Sequence, residues 1–137
     1  MPIFDYNETI PYLAVLIADR GFVKHWGIYL GNSQVFHCTP EKGEHVSTLN
    51  EFCKDIKVTY QSTAPDRRFI IYSLINEHLR YPRRYDLITN NCEQIVREIA
   101  TGIRESKQLQ GWAFIGIVGL VAIVLSQPES RRSPRYN

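Results

Sequence analysis

The chain has 137 residues, with 44% hydrophobic and 22% charged side chains and a formal net charge of +2. That is one globular domain's worth of sequence, too short for a two-domain cofactor enzyme and too weakly charged to imply a nucleic-acid partner. Residues 1–110 hold acidic and basic side chains in equal number, and the small excess lies in the tail, where Arg131, Arg132 and Arg135 face only Glu129.

No Lys or Arg precedes Arg20, so the start lacks the basic n-region of a secretory leader. Pro11 to Ile17 reads as a first strand, and Phe22 to Leu30 as a second, rich in aromatic and β-branched residues. Gly31-Asn32-Ser33 is a turn, and Gln34 to Thr39 a third strand. Ser47 or Thr48 is placed to cap a short helix running into Glu51, and Ile56 to Tyr60 reads as a fourth strand. Pro65-Asp66 opens a helix to about Leu79, with Phe69, Ile70, Leu74 and Ile75 expected to face inward. Arg80 to Arg84 is a basic loop broken by proline, and Asn91 to about Gly102 a second helix. These elements predict an α+β domain over residues 1–110.

Gly111 to Leu125 carries no polar side chain except the Trp112 indole. As a helix it spans roughly 22 Å, short of the ~30 Å hydrocarbon core. Leu109 extends it, and Lys107 and Arg131 can snorkel. A helix apolar on every side is hard for a small domain to surround. Residues 111–126 are therefore expected to form a C-terminal membrane anchor and 127–137 a basic tail, a buried core helix being the alternative.

Cys38, Cys53 and Cys92 cannot close a disulfide framework and are not spaced as a zinc knuckle. Free thiols in a reducing, cytosolic compartment are expected, with no metal and no cofactor. Cys92 is the chemically suggestive one. Ile95, Val96, Ile99 and Ile103 recur at helical spacing behind it, and Asn90 or Asn91 can cap that helix, with Glu93 able to close a capping box on Asn90. A thiol in such a first turn meets unpaired N–H groups and the positive end of the helix dipole, so its pKa is expected to fall.

His25 and His37 lie on two strands joined by the Gly31-Asn32-Ser33 turn. Hairpin register decides whether they share a face. A two-residue turn at Asn32-Ser33 pairs Ile28 with His37 and separates the rings. A three-residue loop pairs Leu30 with Gln34 and Gly27 with His37, and makes the rings diagonal neighbours on one face. A cysteine at a helix start with two clustered histidines suits nucleophilic acyl transfer: a thiolate attacks a carbonyl, one histidine moves the proton, and a second group fixes its tautomer. The backbone N–H of Cys92 is a candidate oxyanion donor. Cys38, on the other face from His37, and Cys53, in a polar connector, look inert, and His45 and His78 are expected to face solvent.

The stretch His25-Trp26-Gly27-Ile28-Tyr29-Leu30-Gly31, then Val35-Phe36-His37, then Asn91-Cys92-Glu93, resembles the lecithin:retinol acyltransferase-like family, and within it the small phospholipase A/acyltransferase proteins. The resemblance spans about residues 11–110, and the terminal apolar segment is similar to the C-terminal anchor of those proteins. It implies a circularly permuted papain-like (NlpC-type) α+β domain with an antiparallel sheet. It also implies Cys92 as nucleophile, His25 as general base and His37 as its orienting partner. Close relatives continue with His-Phe after the Asn-Cys-Glu tripeptide, where this chain has Gln94 and Ile95. The same boxes occur in some small viral proteins of the superfamily.

The function expected is a membrane-anchored thiol phospholipase A/acyltransferase. Its acyl donor is a glycerophospholipid of a phospholipid membrane, and its acceptor water or an amine. The alternatives are a cysteine peptidase or isopeptidase of the same architecture, and a non-enzymatic membrane-remodelling or binding protein. The cationic side chains Arg67, Arg68, Arg80, Arg83 and Arg84 could meet anionic headgroups or simply be solvated.

Overall fold

The computed structural model describes residues 9–87, 90–103 and 111. The chain divides into two units, Met1–Ser106 and Lys107–Asn137. Apart from Gly111, the expected anchor at 111–126 and the tail at 127–137 lie outside the described residues. No helix among the described residues is long and apolar enough to cross a membrane.

Five strands build the domain: β1 (Val15–Asp19), β2 (Lys24–Gly31), β3 (Gln34–Thr39), β4 (Gly43–Thr48) and β5 (Val58–Gln61). They form one antiparallel sheet in the order β4-β3-β2-β1-β5. Among the described residues of this domain three helices accompany them: α1 (Leu49–Cys53), α2 (Arg68–Arg80), entered through a 3₁₀ turn at Pro65–Arg67, and α3 (Cys92–Thr101). The fold is the α+β class expected.

Strand alternation assigns each side of the sheet its own core. Val15, Ile17, Ile28, Phe36 and Cys38 point to one face, where Ile71 and Ile75 of α2 and Ile95, Val96 and Ile99 of α3 cover them. Ala14, Leu16, Ala18, Val35 and Val58 point to the other, under Leu49, Phe52 and Cys53 of α1. Gly27 shows how tightly α1 sits: a Cβ there would lie 2.7 Å from Val35 Cγ1 and 2.8 Å from Phe52 Cε2.

Several expectations need correction. β4 was not foreseen, because Gly43-Glu44-His45 carries no apolar alternation. Its Glu44 is buried nonetheless, accepting from His78 Nδ1 at 2.9 Å and from the Arg83 N–H at 3.1 Å. His78 is therefore buried, not solvent-facing. On α2 Ile71, Ile75 and His78 are buried and Leu74 packs against the core as expected, while Phe69 is 81% and Ile70 46% exposed. The 3₁₀ turn at Pro65–Arg67 precedes the α-helix and sets its phase differently from a helix begun at Pro65. Cys53 is the last residue of α1 and is buried in the core on that face, not in a polar connector.

Candidate active site

The β2–β3 hairpin is the foundation of the site. Its turn is the two-residue Asn32-Ser33, both at positive φ (50° and 56°), as a tight hairpin requires. Gly31 pairs with Gln34, yet Tyr29 pairs with Val35 and Gly27 with His37. The register shift between Tyr29 and Gly31 leaves Leu30 as a bulge. The bulge supplies the extra residue that a three-residue loop would have supplied. The hairpin thus combines the shorter turn with the register that sets His25 and His37 on one face.

The two rings meet there. His25 Nε2 lies 2.8 Å from His37 Nδ1, with ring centroids 5.0 Å apart and planes at 77°. Phe52 packs against both, at 5.1 Å from His25 and 5.3 Å from His37. His37 Nε2 in turn lies 2.7 Å from Ser47 Oγ on β4. The His45 ring lies 4.4 Å from that of His37, tilted by 47°, and donates its Nδ1–H to the Gly43 carbonyl. His45 is thus a half-buried neighbour of the pair and not the solvent-facing residue expected. Burial pushes the His25 pKa down to about 4, helped by the Arg20 and Lys54 charges, and the His37 pKa down to about 3, helped by His25 and His45. Both rings are therefore neutral at pH 7.

Cys92 opens α3 as its first helical residue. Asn91 caps the helix: its side chain accepts from the Gln94 N–H at 2.9 Å, and Gln94 Oε1 accepts from the Asn91 N–H at 3.1 Å. The capping box is therefore Asn91–Gln94 and not Asn90–Glu93. Glu93 is 1% exposed and takes Arg97 Nε at 3.0 Å, with the Arg97 guanidinium 4.8 Å above the Trp26 ring. That stack ties the start of α3 to β2.

The thiol is buried, and Sγ sits 3.9 Å from the carbonyl oxygen of Lys24, the residue before His25. Backbone N–H groups of Trp26, Glu93 and Cys92 itself reach the sulfur and favour its thiolate. Burial outweighs them, so the Cys92 pKa is raised, contrary to the lowering expected from the helix terminus alone. Burial pushes Cys38 up to about 12. The structure brings His25, His37 and Ser47 into one chain. It sets Cys92 at the end of the same strand, on the helix packed across the opposite face. Among the described residues no hydrogen bond joins Sγ to either histidine. Nor is there a group of three or more His, Cys, Asp or Glu side chains arranged to hold a metal ion.

Ser47 and His45 escaped the sequence reading for one reason: both stand on the unforeseen strand β4. The pairs Val35↔Ser47 and His37↔His45 put them on the face of His37. The one signal for this was the alternation of His45, Ser47 and Leu49, too polar to mark a strand.

The site thus consists of a hairpin with paired histidines followed by a capped helix that opens on a cysteine. The chain belongs to the lecithin retinol acyltransferase family, whose model matches residues 12–80. The matched segment holds His25, His37 and Ser47 and ends before Cys92. At the level of the family the activity is of acyltransferase or phospholipase type. A stretch of the genome polyprotein of Ljunganvirus 1 is 27% identical over 121 residues, covering 85% of this chain. The chain spans about 5% of that polyprotein.

Proposed function

We propose that this domain is a thiol phospholipase A/acyltransferase acting on glycerophospholipids, within a circularly permuted papain-like fold. Cys92 attacks the ester carbonyl, and its proton passes to His25. The oxyanion takes hydrogen bonds from backbone N–H groups at the start of α3, that of Cys92 among them. The lysophospholipid leaves with the proton returned by His25. Water or an amine then accepts the acyl group from the thioester. The observation that carries this is the 2.8 Å His25–His37 contact within a family-matched hairpin. It holds a neutral imidazole in fixed orientation at the end of the strand against which the thiol lies.

For the first step Sγ leaves the Lys24 carbonyl and turns onto His25. A buried neutral thiol beside a buried neutral imidazole is a resting pair that does not need to be an ion pair. Proton transfer then accompanies attack. The apolar segment 111–126 acts as a single-pass anchor that keeps the domain in the cytosol at its lipid substrate. The likeness to a segment of a viral polyprotein fits a domain that acts as part of, or is released from, a longer viral chain.

The test is turnover of labelled phosphatidylcholine in vesicles. Release of lysophospholipid is expected from the full chain, and none from Cys92→Ala or His25→Ala. Equal release from all three would overturn the assignment.

A second reading, that of a non-enzymatic membrane or partner-binding domain, has one observation in its favour. The thiol is buried, raised in pKa and bonded away from the histidines. It predicts no release from the full chain.

A further inference from the structure

A hydroxyl has a single proton to give, and Ser47 has two neighbours able to take it. Ser47 Oγ lies 2.7 Å from His37 Nε2 and donates at 3.2 Å to the Thr48 carbonyl. A carbonyl oxygen can only accept. If the proton stays on the carbonyl, Oγ accepts from His37 and the proton of His37 is on Nε2; if Ser47 donates to His37 instead, Nε2 is bare. In the first arrangement the bare Nδ1 of His37 accepts from His25 Nε2–H across 2.8 Å. The last consequence falls on His25, whose proton resides on Nε2 and whose Nδ1 keeps its lone pair. That Nδ1 has no hydrogen-bond partner among the described residues and is not sealed from solvent.

We propose that Ser47 is a positioning residue which, through His37, selects the tautomer of His25 that presents Nδ1 as the base. This rests on the acyl-transfer reading for its purpose but not for its test. The depressed pKa values of both rings support it, since tautomer choice matters only for neutral imidazoles. Ser47 is 8% exposed and His37 5%, so water does not compete freely for these bonds. They border a cavity of about 460 Å³ that Thr39, Lys42, His45 and Lys54 also line.

The experiment is long-range ¹H–¹⁵N correlation on histidine-labelled full-length protein at pH 7, without substrate. The expected spectrum shows His25 and His37 both protonated at Nε2 and bare at Nδ1. A His25 protonated at Nδ1 in the unsubstituted protein would overturn the proposal whether or not any variant folds. Ser47→Ala is expected to give mixed tautomers at both rings, and Ser47→Thr to restore the single set; an unchanged spectrum in Ser47→Ala also overturns it. Turnover of phosphatidylcholine should fall on the order of 10-fold in Ser47→Ala with KM unchanged, a fraction of what a positioned base contributes. If the tautomers are as stated and the unsubstituted protein shows no turnover, the tautomer relay stands and the phospholipase assignment falls.

Discussion

At the scale of single residues, burial dominates the charge state of the site. Cys92, His25 and His37 are all buried, and each is driven toward its neutral form. Iodoacetamide near pH 7 should therefore label all three cysteines slowly in the folded protein. Adding phosphatidylcholine vesicles should accelerate Cys92 alone, because lipid entry has to free its sulfur. Acceleration of Cys38 or Cys53 to the same degree would mean general loosening instead. The histidines also make stability pH-dependent. Their folded pKa values of about 4 and about 3 lie below the ordinary 6.5. Below about pH 6.5 the unfolded chain therefore binds more protons than the folded one, so this contribution is complete above that pH and is lost as the pH falls toward 3. The melting temperature should drop over that window. The decline should be shallower in a His25→Gln/His37→Gln double variant, where a parallel decline would place the acid sensitivity elsewhere.

At the scale of elements, the sequence showed clearly wherever local chemistry and packing agree. Gln34–Thr39 matched β3 residue for residue, and Thr48 caps α1 as foreseen, accepting from the Glu51 N–H at 3.2 Å. The start of α3 was legible from its asparagines, although the box partner is Gln94. What failed was set by tertiary contacts. β4 is a strand because it completes the sheet beside β3 and pairs Glu44 with His78, thirty-four residues apart, which no local pattern encodes. The hairpin register was legible only as two alternatives, and the Leu30 bulge joins features of both. Two variants test these elements. Asn91→Ala removes a cap and its box, and should destabilise the domain by about 1–2 kcal/mol in denaturant titration. Gly27→Ala forces a methyl group into Val35 and Phe52, so destabilisation of about 1–3 kcal/mol is expected. A neutral Gly27→Ala would mean that α1 is not packed on the hairpin as described.

At the scale of the whole molecule, one sheet with a core on each face separates the parts of the site. The histidines share their face with α1, whereas Cys92 belongs to the helix on the other. They converge only at the end of β2, where Lys24 and His25 are neighbours in sequence. Both cores and every strand among the described residues come from the unit Met1–Ser106. A chain ending at Gln110 should therefore fold, with dispersed amide resonances and a cooperative melt, and should lose vesicle binding relative to the full chain. Loss of folding on truncation would make residues 111–126 part of a core.

The central claim is that Cys92 carries an acyl group. Incubating the full chain with phosphatidylcholine vesicles, quenching in acid and mapping peptides by mass spectrometry tests it directly. The account predicts a fatty-acyl mass on the Cys92 peptide that hydroxylamine removes and that His25→Ala strongly reduces. An unmodified Cys92 under conditions where lysophospholipid accumulates, or an acyl group on Cys38 or Cys53 instead, would contradict it.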